Sequence, residues 1–196
     1  MSEDQPALLA GLREVLSCTG PTCGDTIDWP AAQGIYGAAF PADYRAFVAA
    51  FGSGTIADLV VVHIPAVSLP RPIHTVSRIS EAVRGTHVED EWVQASRGRY
   101  RMEDLLIWGE TTAADTLCWV TTDPDPNRWP VAVHTRMDSE WAVYPCGMVE
   151  FLVKLLRNEW QRWPVSEASW HDTTGIVRQH FLHEKDEATA GLDRWQ

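Results

Sequence analysis

Apolar residues recur with the 3.6-residue spacing of an amphipathic helix in three segments of the chain. These segments cover residues 6–16, residues 44–51 and a strongly patterned stretch that follows Gly147. A shorter helical or turn segment is predicted over residues 29–37, because Trp29–Pro30 opens it and Gly37 can end it. The pattern therefore predicts helices before and after a central region of different character.

That central region shows the signals of β-structure. Residues 57–64 are rich in β-branched side chains and end at Pro65, which predicts a buried strand. Four further apolar runs are separated by short polar turns, and they cover residues 104–111, 116–121, 131–135 and 140–144. Four consecutive antiparallel strands of this kind predict a meander that starts with a hairpin.

The weakest patterns lie in residues 70–98 and after Pro164. Apolar spacing over residues 73–88 predicts one helix, with a second near Trp92. The chain divides into one domain over residues 1–163 and a polar C-terminal extension over residues 164–196 that holds one short ordered element. The predicted order is helices, then strands, then a helix, with no βαβ alternation. This order predicts an α+β fold with a mostly antiparallel central sheet flanked by N-terminal helices and a C-terminal helix.

Charge narrows the classes of partner. The chain has 196 residues, 16 Lys and Arg, 27 Asp and Glu, and a formal net charge of −11. A nucleic acid is bound through clustered Lys and Arg, so a direct nucleic-acid partner is disfavoured and a basic protein partner is favoured. No apolar run approaches the roughly 20 residues that span a bilayer, so we expect no membrane span. The sequence does not predict an oligomeric state.

The cysteines and the N-terminal residues indicate a compartment. The first residues are acidic, whereas a signal peptide begins with positive charge. Four cysteines in a chain of this length are too few for a secreted disulfide scaffold. We therefore expect a cytoplasmic protein with reduced thiols, including Cys18 and Cys23 in a loop.

Candidate chemistry is sparse. Cys18 and Cys23 make a possible metal half-site, but no second pair at similar spacing completes it. The chain has no nucleophile elbow, no His-Glu-x-x-His motif and no phosphate-binding glycine loop. His63 and His134 lie in strand-like runs, where a satisfied or outward-facing sheet histidine is expected. The sequence thus predicts no catalytic residue, no cofactor and no metal ligand, and an enzyme is disfavoured.

Tryptophans and acidic loops are the features that suggest an interface. The chain has ten tryptophans, and Trp108 and Trp119 are predicted to fill the core of the hairpin. Trp163 and Trp170 lie outside the strongly patterned segments and are candidate partner contacts. Four acidic residues flank the predicted turns and are candidate contacts for a basic partner: Glu110, Asp115, Asp123 and Asp125. We expect these four side chains to gather at the hairpin end of the sheet.

The order of several short motifs resembles a known family. The motifs are Trp29, residues 40–48, residues 51–54, residues 107–111, residues 115–119, residues 125–131, and Gly147 with residues 150–152. Together they resemble the Smi/Knr-like branch of the SUKH superfamily over roughly residues 29–156. Phe40 stands where leucine is usual, and Ala113–Ala114 stands where many members have glycines.

The resemblance implies a function without catalysis. Most bacterial members of that family are immunity proteins that bind and neutralise a cognate toxin domain, frequently a nuclease. The resemblance supplies no catalytic residues and no transferable interface. We expect a toxin-neutralising immunity protein, with a regulatory scaffold as the first alternative and a small-molecule-binding domain or enzyme as the second.

Overall fold

The computed structural model describes residues 5–67, 72–79, 92–166 and 179–193, and it builds them around a nine-stranded sheet. Five helices belong to these residues: α1 (Gln5–Val15), α2 (Trp29–Tyr36), α3 (Ala42–Ala50), α4 (Met148–Leu156) and α5 (Glu184–Asp193). Short 3-10 turns cover Met102–Asp104 and Pro126–Arg128. Among the described residues, no helix has the length and apolar character needed to cross a membrane.

The sheet is antiparallel except at one edge. Its strands are β1 (Leu16–Cys18), β2 (Gly54–Ile56), β3 (Val60–Val62), β4 (Ser77–Arg78), β5 (Leu105–Thr111), β6 (Thr116–Val120), β7 (Val131–Thr135), β8 (Glu140–Tyr144) and β9 (Gln179–His183). The order across the sheet is β1-β9-β2-β3-β5-β6-β7-β8, and β4 also pairs with β5. Among the nine strands of the described residues, β1 and β9 are the one parallel pair. The α+β fold and the β5–β8 meander are confirmed.

Helices α1, α3 and α4 cover one face of the sheet because each has an apolar stripe. Tyr44 and Phe47 of α3 and Phe151 of α4 are fully buried with the large side chains of the strands. Trp108 and Trp119 lie in this core with no exposed surface, which confirms their predicted role. Asp43 joins α3 to α4, since its carboxylate accepts a hydrogen bond from the Val149 amide at 3.1 Å.

The opposite face of the sheet also carries buried apolar side chains. A second apolar cluster forms there from the outward side chains of β5–β8 together with residues of other segments: Ile79, Trp92, Leu105, Cys118, Val120, Ala132 and Trp141. The Trp92 and Trp141 rings stack at 5.5 Å. The predicted helix near Trp92 is wrong, because Trp92 forms a β-bridge with Trp141 instead. Next to this cluster the same face carries Glu110 and His63 beside β3.

The predicted strand over residues 57–64 is a hairpin strand preceded by its turn. Residues 57–59 form the turn between β2 and β3, with positive φ at Ala57 and Asp58. The predicted helix over residues 73–88 is absent from the described part of that range, where Ser77–Arg78 pairs with β5. The remainder of that helix lies outside the described residues.

The C-terminal extension takes part in the sheet. Strand β9 lies between β1 and β2, so Phe181 packs against Phe47 and Phe51 of the main core. Residues 179–193 are therefore integral to the fold.

The expectation of four reduced thiols is wrong. A disulfide joins Cys18 at the end of β1 to Cys23, with Cα atoms 6.2 Å apart, inside the usual range for such bonds. Cys118 and Cys146 are free and buried.

Candidate functional site

A groove of about 250 Å³ runs along strand β8 on the side where the chain returns after α4. Residues of the β7–β8 hairpin form one wall, and residues 162–166 form the other. Trp163, one of the predicted partner contacts, lies in the second wall. The groove is thus the place where the structure gives a predicted contact residue a concave surface.

Aromatic packing fixes the floor of the groove. The Tyr144 ring contacts Phe151 at 5.3 Å and Trp160 at 4.8 Å, both edge to face. Burial raises the pKa of Tyr144 to about 12, so its hydroxyl stays protonated at neutral pH. Trp163 is half-buried and packs against the same core. Of these rings, Tyr144 lines the groove as an aromatic floor and Trp163 lines its wall, an arrangement that suits an anchor contact with another protein.

The rim of the groove is charged and exposed. Arg162 reaches Glu140 at 3.2 Å and Asp138 at 3.5 Å, and all three side chains are largely in solvent. Exposed pairs of this kind contribute little to stability. At the tip of the β7–β8 turn, Met137 is 75% exposed. An exposed thioether side chain beside an aromatic floor gives this end of the molecule an accessible apolar contact.

Asp115 holds the two walls of the groove together. Its carboxylate accepts hydrogen bonds from the backbone amides of Arg136 and Ser166, both at 2.8 Å, and from the hydroxyls of Thr111 and Ser166. The Met137 amide in turn donates to the Ser166 hydroxyl at 3.0 Å. Asp115 has no exposed surface. The prediction that Asp115 contacts a partner directly does not fit this position; it is a positioning residue for the groove.

The acidic candidates do not form one surface. Asp115 precedes β6, whereas Asp123 and Asp125 follow it, so about 16 Å of strand separates the two ends. Asp123 accepts a hydrogen bond from the Asp125 amide at 2.9 Å and pairs with Arg128 at 3.3 Å. Asp125 caps the 3-10 turn by accepting from the Asn127 amide at 3.0 Å. These two acids shape their own loop.

Glu110 lies on a different face from the groove, and Trp170 lies outside the described residues. The predicted gathering of the four acidic side chains at the hairpin end is therefore wrong. Of the six predicted contact residues, the structure brings Trp163 to the groove and places Asp115 behind it.

The described residues show few features of a catalytic centre. Burial raises the pKa of Cys146 to about 12 and that of Cys118 well above its ordinary value, which keeps both thiols protonated and poorly nucleophilic. The Ser53 hydroxyl donates to Glu184 at 2.8 Å, whereas the His183 imidazole contacts Asp25 at 3.1 Å, so the hydroxyl and the imidazole have different side-chain partners. A cavity of about 210 Å³ beside α2, lined by Trp29, Phe40 and Arg45, is also small for a metabolite pocket.

Glu110 belongs instead to a cluster with His63 and His74, in which one ligand atom of each residue lies within 4.8 Å of the others. These are the described residues that could hold a metal ion. Sequence reasoning missed the cluster because its members come from three separate segments. The signals that existed were a histidine within an apolar, strand-like run and a glutamate within the predicted strand over residues 104–111, and a single sequence does not connect them.

Comparison with known proteins identifies no relative: no family model matches the chain, and neither a curated protein nor a solved structure matches it.

Proposed function

We propose that the protein is a non-enzymatic immunity protein of the Smi/Knr-like branch of the SUKH superfamily, which binds and neutralises a toxin domain with a basic surface. A nuclease is the first toxin class to test. The observation that carries the proposal is the aromatic groove beside β8, with Met137 exposed at its end, on a chain whose formal charge is −11.

The groove suits a protein better than a metabolite. Its volume of about 250 Å³ is below the range of roughly 300–1,000 Å³ that small-molecule pockets occupy. Its aromatic floor and charged rim match the arrangement of a protein interface, in which apolar anchors hold the partner and rim charges affect encounter. The excess of negative charge would speed the approach of a basic domain.

The proposal places the protein in the cytoplasm, where it would meet its toxin. The disulfide between Cys18 and Cys23 opposes that placement, because glutathione and thioredoxin keep most cytosolic thiols reduced. The compartment is thus a separate test of the proposal.

The experiment uses the full chain as bait in its native host and identifies the bound protein by mass spectrometry. The bound protein is then produced in a sensitive cell, with and without this chain, and growth is measured. Rescue of growth is expected. A bound protein that is harmless when produced alone would refute neutralisation and favour the regulatory scaffold.

Two matched variants test whether the groove is the contact. Met137 is 75% exposed and Ile35, on α2, is 62% exposed, so lysine is tolerated at both positions. Met137→Lys should weaken binding of the identified partner by about tenfold or more, as loss of an anchor contact does, while Ile35→Lys should bind like the wild type. Equal affinities for the two variants would move the interface away from the groove.

A further inference from the structure

Two histidines and a glutamate converge on the face of the sheet opposite helices α1, α3 and α4, away from the groove. His63 directly follows β3, His74 lies in the segment that precedes β4, and Glu110 lies in β5. The Glu110 Oε1 atom is 3.8 Å from His63 Nε2 and 3.8 Å from His74 Nδ1. Glu110 keeps half of its side chain exposed, so the cluster is open to solvent on one side.

Backbone hydrogen bonds hold the three segments in place. The His63 amide donates to the Trp108 carbonyl at 2.9 Å, and the Ile64 amide donates to the His74 carbonyl at 3.2 Å. Glu184 of α5 accepts a hydrogen bond from the Ile73 amide at 2.8 Å, which fixes the loop before His74. The side chains therefore meet on a framework that does not depend on their own contacts.

His63 lacks the partners that a buried imidazole normally has. Only 10% of its side chain is accessible, and neither ring nitrogen makes a hydrogen bond of normal length among the described residues, although the Thr75 backbone and the Glu110 carboxylate act on it as weak partners. An unsatisfied buried polar group is costly, so its retention calls for an explanation.

We propose that His63, His74 and Glu110 bind one divalent transition-metal ion of the Zn²⁺ class. Two imidazole nitrogens with one carboxylate oxygen suit Zn²⁺ and its first-row neighbours, whereas Mg²⁺ and Ca²⁺ prefer oxygen ligands. Ligand atoms on a tetrahedral zinc are about 3.3 Å apart, as its bond lengths of about 2.0–2.1 Å require. The two distances of 3.8 Å are longer than that value, so binding an ion requires the three side chains to draw together.

The ion would connect residues 72–79 to β3 and β5 through side chains, in addition to the backbone bonds. Three protein ligands leave at least one coordination position for water or for a group of a partner. This site is independent of the groove and of the proposed immunity function.

The test titrates ZnCl₂ into the full chain, freed of any affinity tag and treated with a chelator, by isothermal titration calorimetry. One equivalent of zinc is expected to bind. Co²⁺ in place of Zn²⁺ should give visible absorption bands much stronger than those of aqueous Co²⁺, which report a low coordination number. Absence of zinc uptake would overturn the proposal.

Variants assign the ligands. His74→Ala and Glu110→Gln change partly exposed side chains, and each should weaken zinc binding by about tenfold or more. The control is His180→Ala, because His180 is also partly exposed and pairs with an acid, Asp58, at 3.2 Å, yet lies outside the cluster. His180→Ala should bind zinc like the wild type. Zinc binding unaffected by His74→Ala, or weakened equally by His180→Ala, would place the ion elsewhere and refute the site.

Discussion

A single buried carboxylate, that of Asp115, joins three parts of the chain that are distant in sequence. It accepts hydrogen bonds from the Thr111 hydroxyl in β5, from the Arg136 amide after β7 and from the Ser166 amide. In the sequence, Asp115 follows a threonine–alanine turn and precedes the polar first residue of β6. The sequence alone therefore predicts a charge on the surface. Burial was not predictable because Ser166, which covers it, lies in a segment without a clear pattern.

Replacing Asp115 should therefore reduce stability before it affects any encounter with a partner. Asp115→Ala leaves the amides of Arg136 and Ser166 without an acceptor, and each buried unsatisfied group costs about 1–3 kcal/mol. We expect the free energy of unfolding in urea to fall by about 2 kcal/mol or more. Asp138→Ala, at an exposed rim position, should change it by no more than about 0.5 kcal/mol. Similar values for the two variants would show that Asp115 is not a structural anchor.

At the scale of elements, long periodic segments were predictable and short ones were not. The meander β5–β8 and helix α4 follow from alternation or from a helical apolar stripe, since packing against a shared core selects such patterns. The β2–β3 turn was missed because Ala57 and Asp58 adopt positive φ without the glycine or asparagine that usually marks such turns. Strand β9 was missed because only two of its five residues, Phe181 and Leu182, are apolar, and because it pairs with strands far away in sequence.

The disulfide connects strand β1 to the loop that follows it, and it leads to a prediction about thiol chemistry. It ties the end of β1 to the loop that carries Asp25. Protein isolated without reductant, then denatured and alkylated, should gain two alkyl groups, on Cys118 and Cys146, by intact-mass spectrometry. Prior reduction should raise the number to four. Four alkyl groups without reduction would show free Cys18 and Cys23 and would support the cytoplasmic placement.

Asp25 connects its loop to β9 and α5, and its ionisation should make that connection pH-dependent. Burial acts to raise the pKa of Asp25, but hydrogen bonds from the Ser53 amide and Lys185 and the charge of His183 outweigh burial and lower it below 3.8. A lowered pKa in the folded state means that ionised Asp25 stabilises the fold above pH 3.8. That contribution is lost as the pH falls through the folded-state pKa.

Stability should consequently fall more steeply under acid in the wild type than in Asp25→Asn. The measurement is the free energy of unfolding in urea at pH values from about 6 down to about 2, which includes the acid range in which a carboxylate with a lowered pKa loses its contribution. Asp138→Asn, which changes an exposed acid, should retain the wild-type slope. An unchanged acid slope in Asp25→Asn would mean that Asp25 does not link these elements.

At the scale of the whole molecule, the two ends of the described chain meet inside one sheet. Strand β9 pairs with β1 on one side and β2 on the other, so residues near the N-terminus and C-terminus share a ladder. The sequence predicted the fold class because composition and local pattern determine it. It did not predict the pairing of β9 with β1 and β2, the groove or the histidine cluster, because each depends on contacts between distant segments.

Because β9 lies between β1 and β2, we predict that the C-terminal residues are required for folding. A chain ending at Ser166 lacks β9, so β1 loses its only strand partner in the described sheet, β2 loses one neighbour, and the core loses Phe181, which has no exposed surface. Removing a large buried aromatic side chain alone costs about 3–5 kcal/mol, a large part of the roughly 5–15 kcal/mol that stabilises a typical domain. We expect this truncated chain to show no cooperative thermal unfolding by circular dichroism.

A chain that lacks only residues 194–196 is the control and should melt within about 2 °C of the full chain, since a loss of 1 kcal/mol shifts a domain of this size by roughly 2–4 °C. Cooperative unfolding of the chain ending at Ser166, at a similar temperature, would show that β9 is dispensable and that residues 1–166 fold on their own.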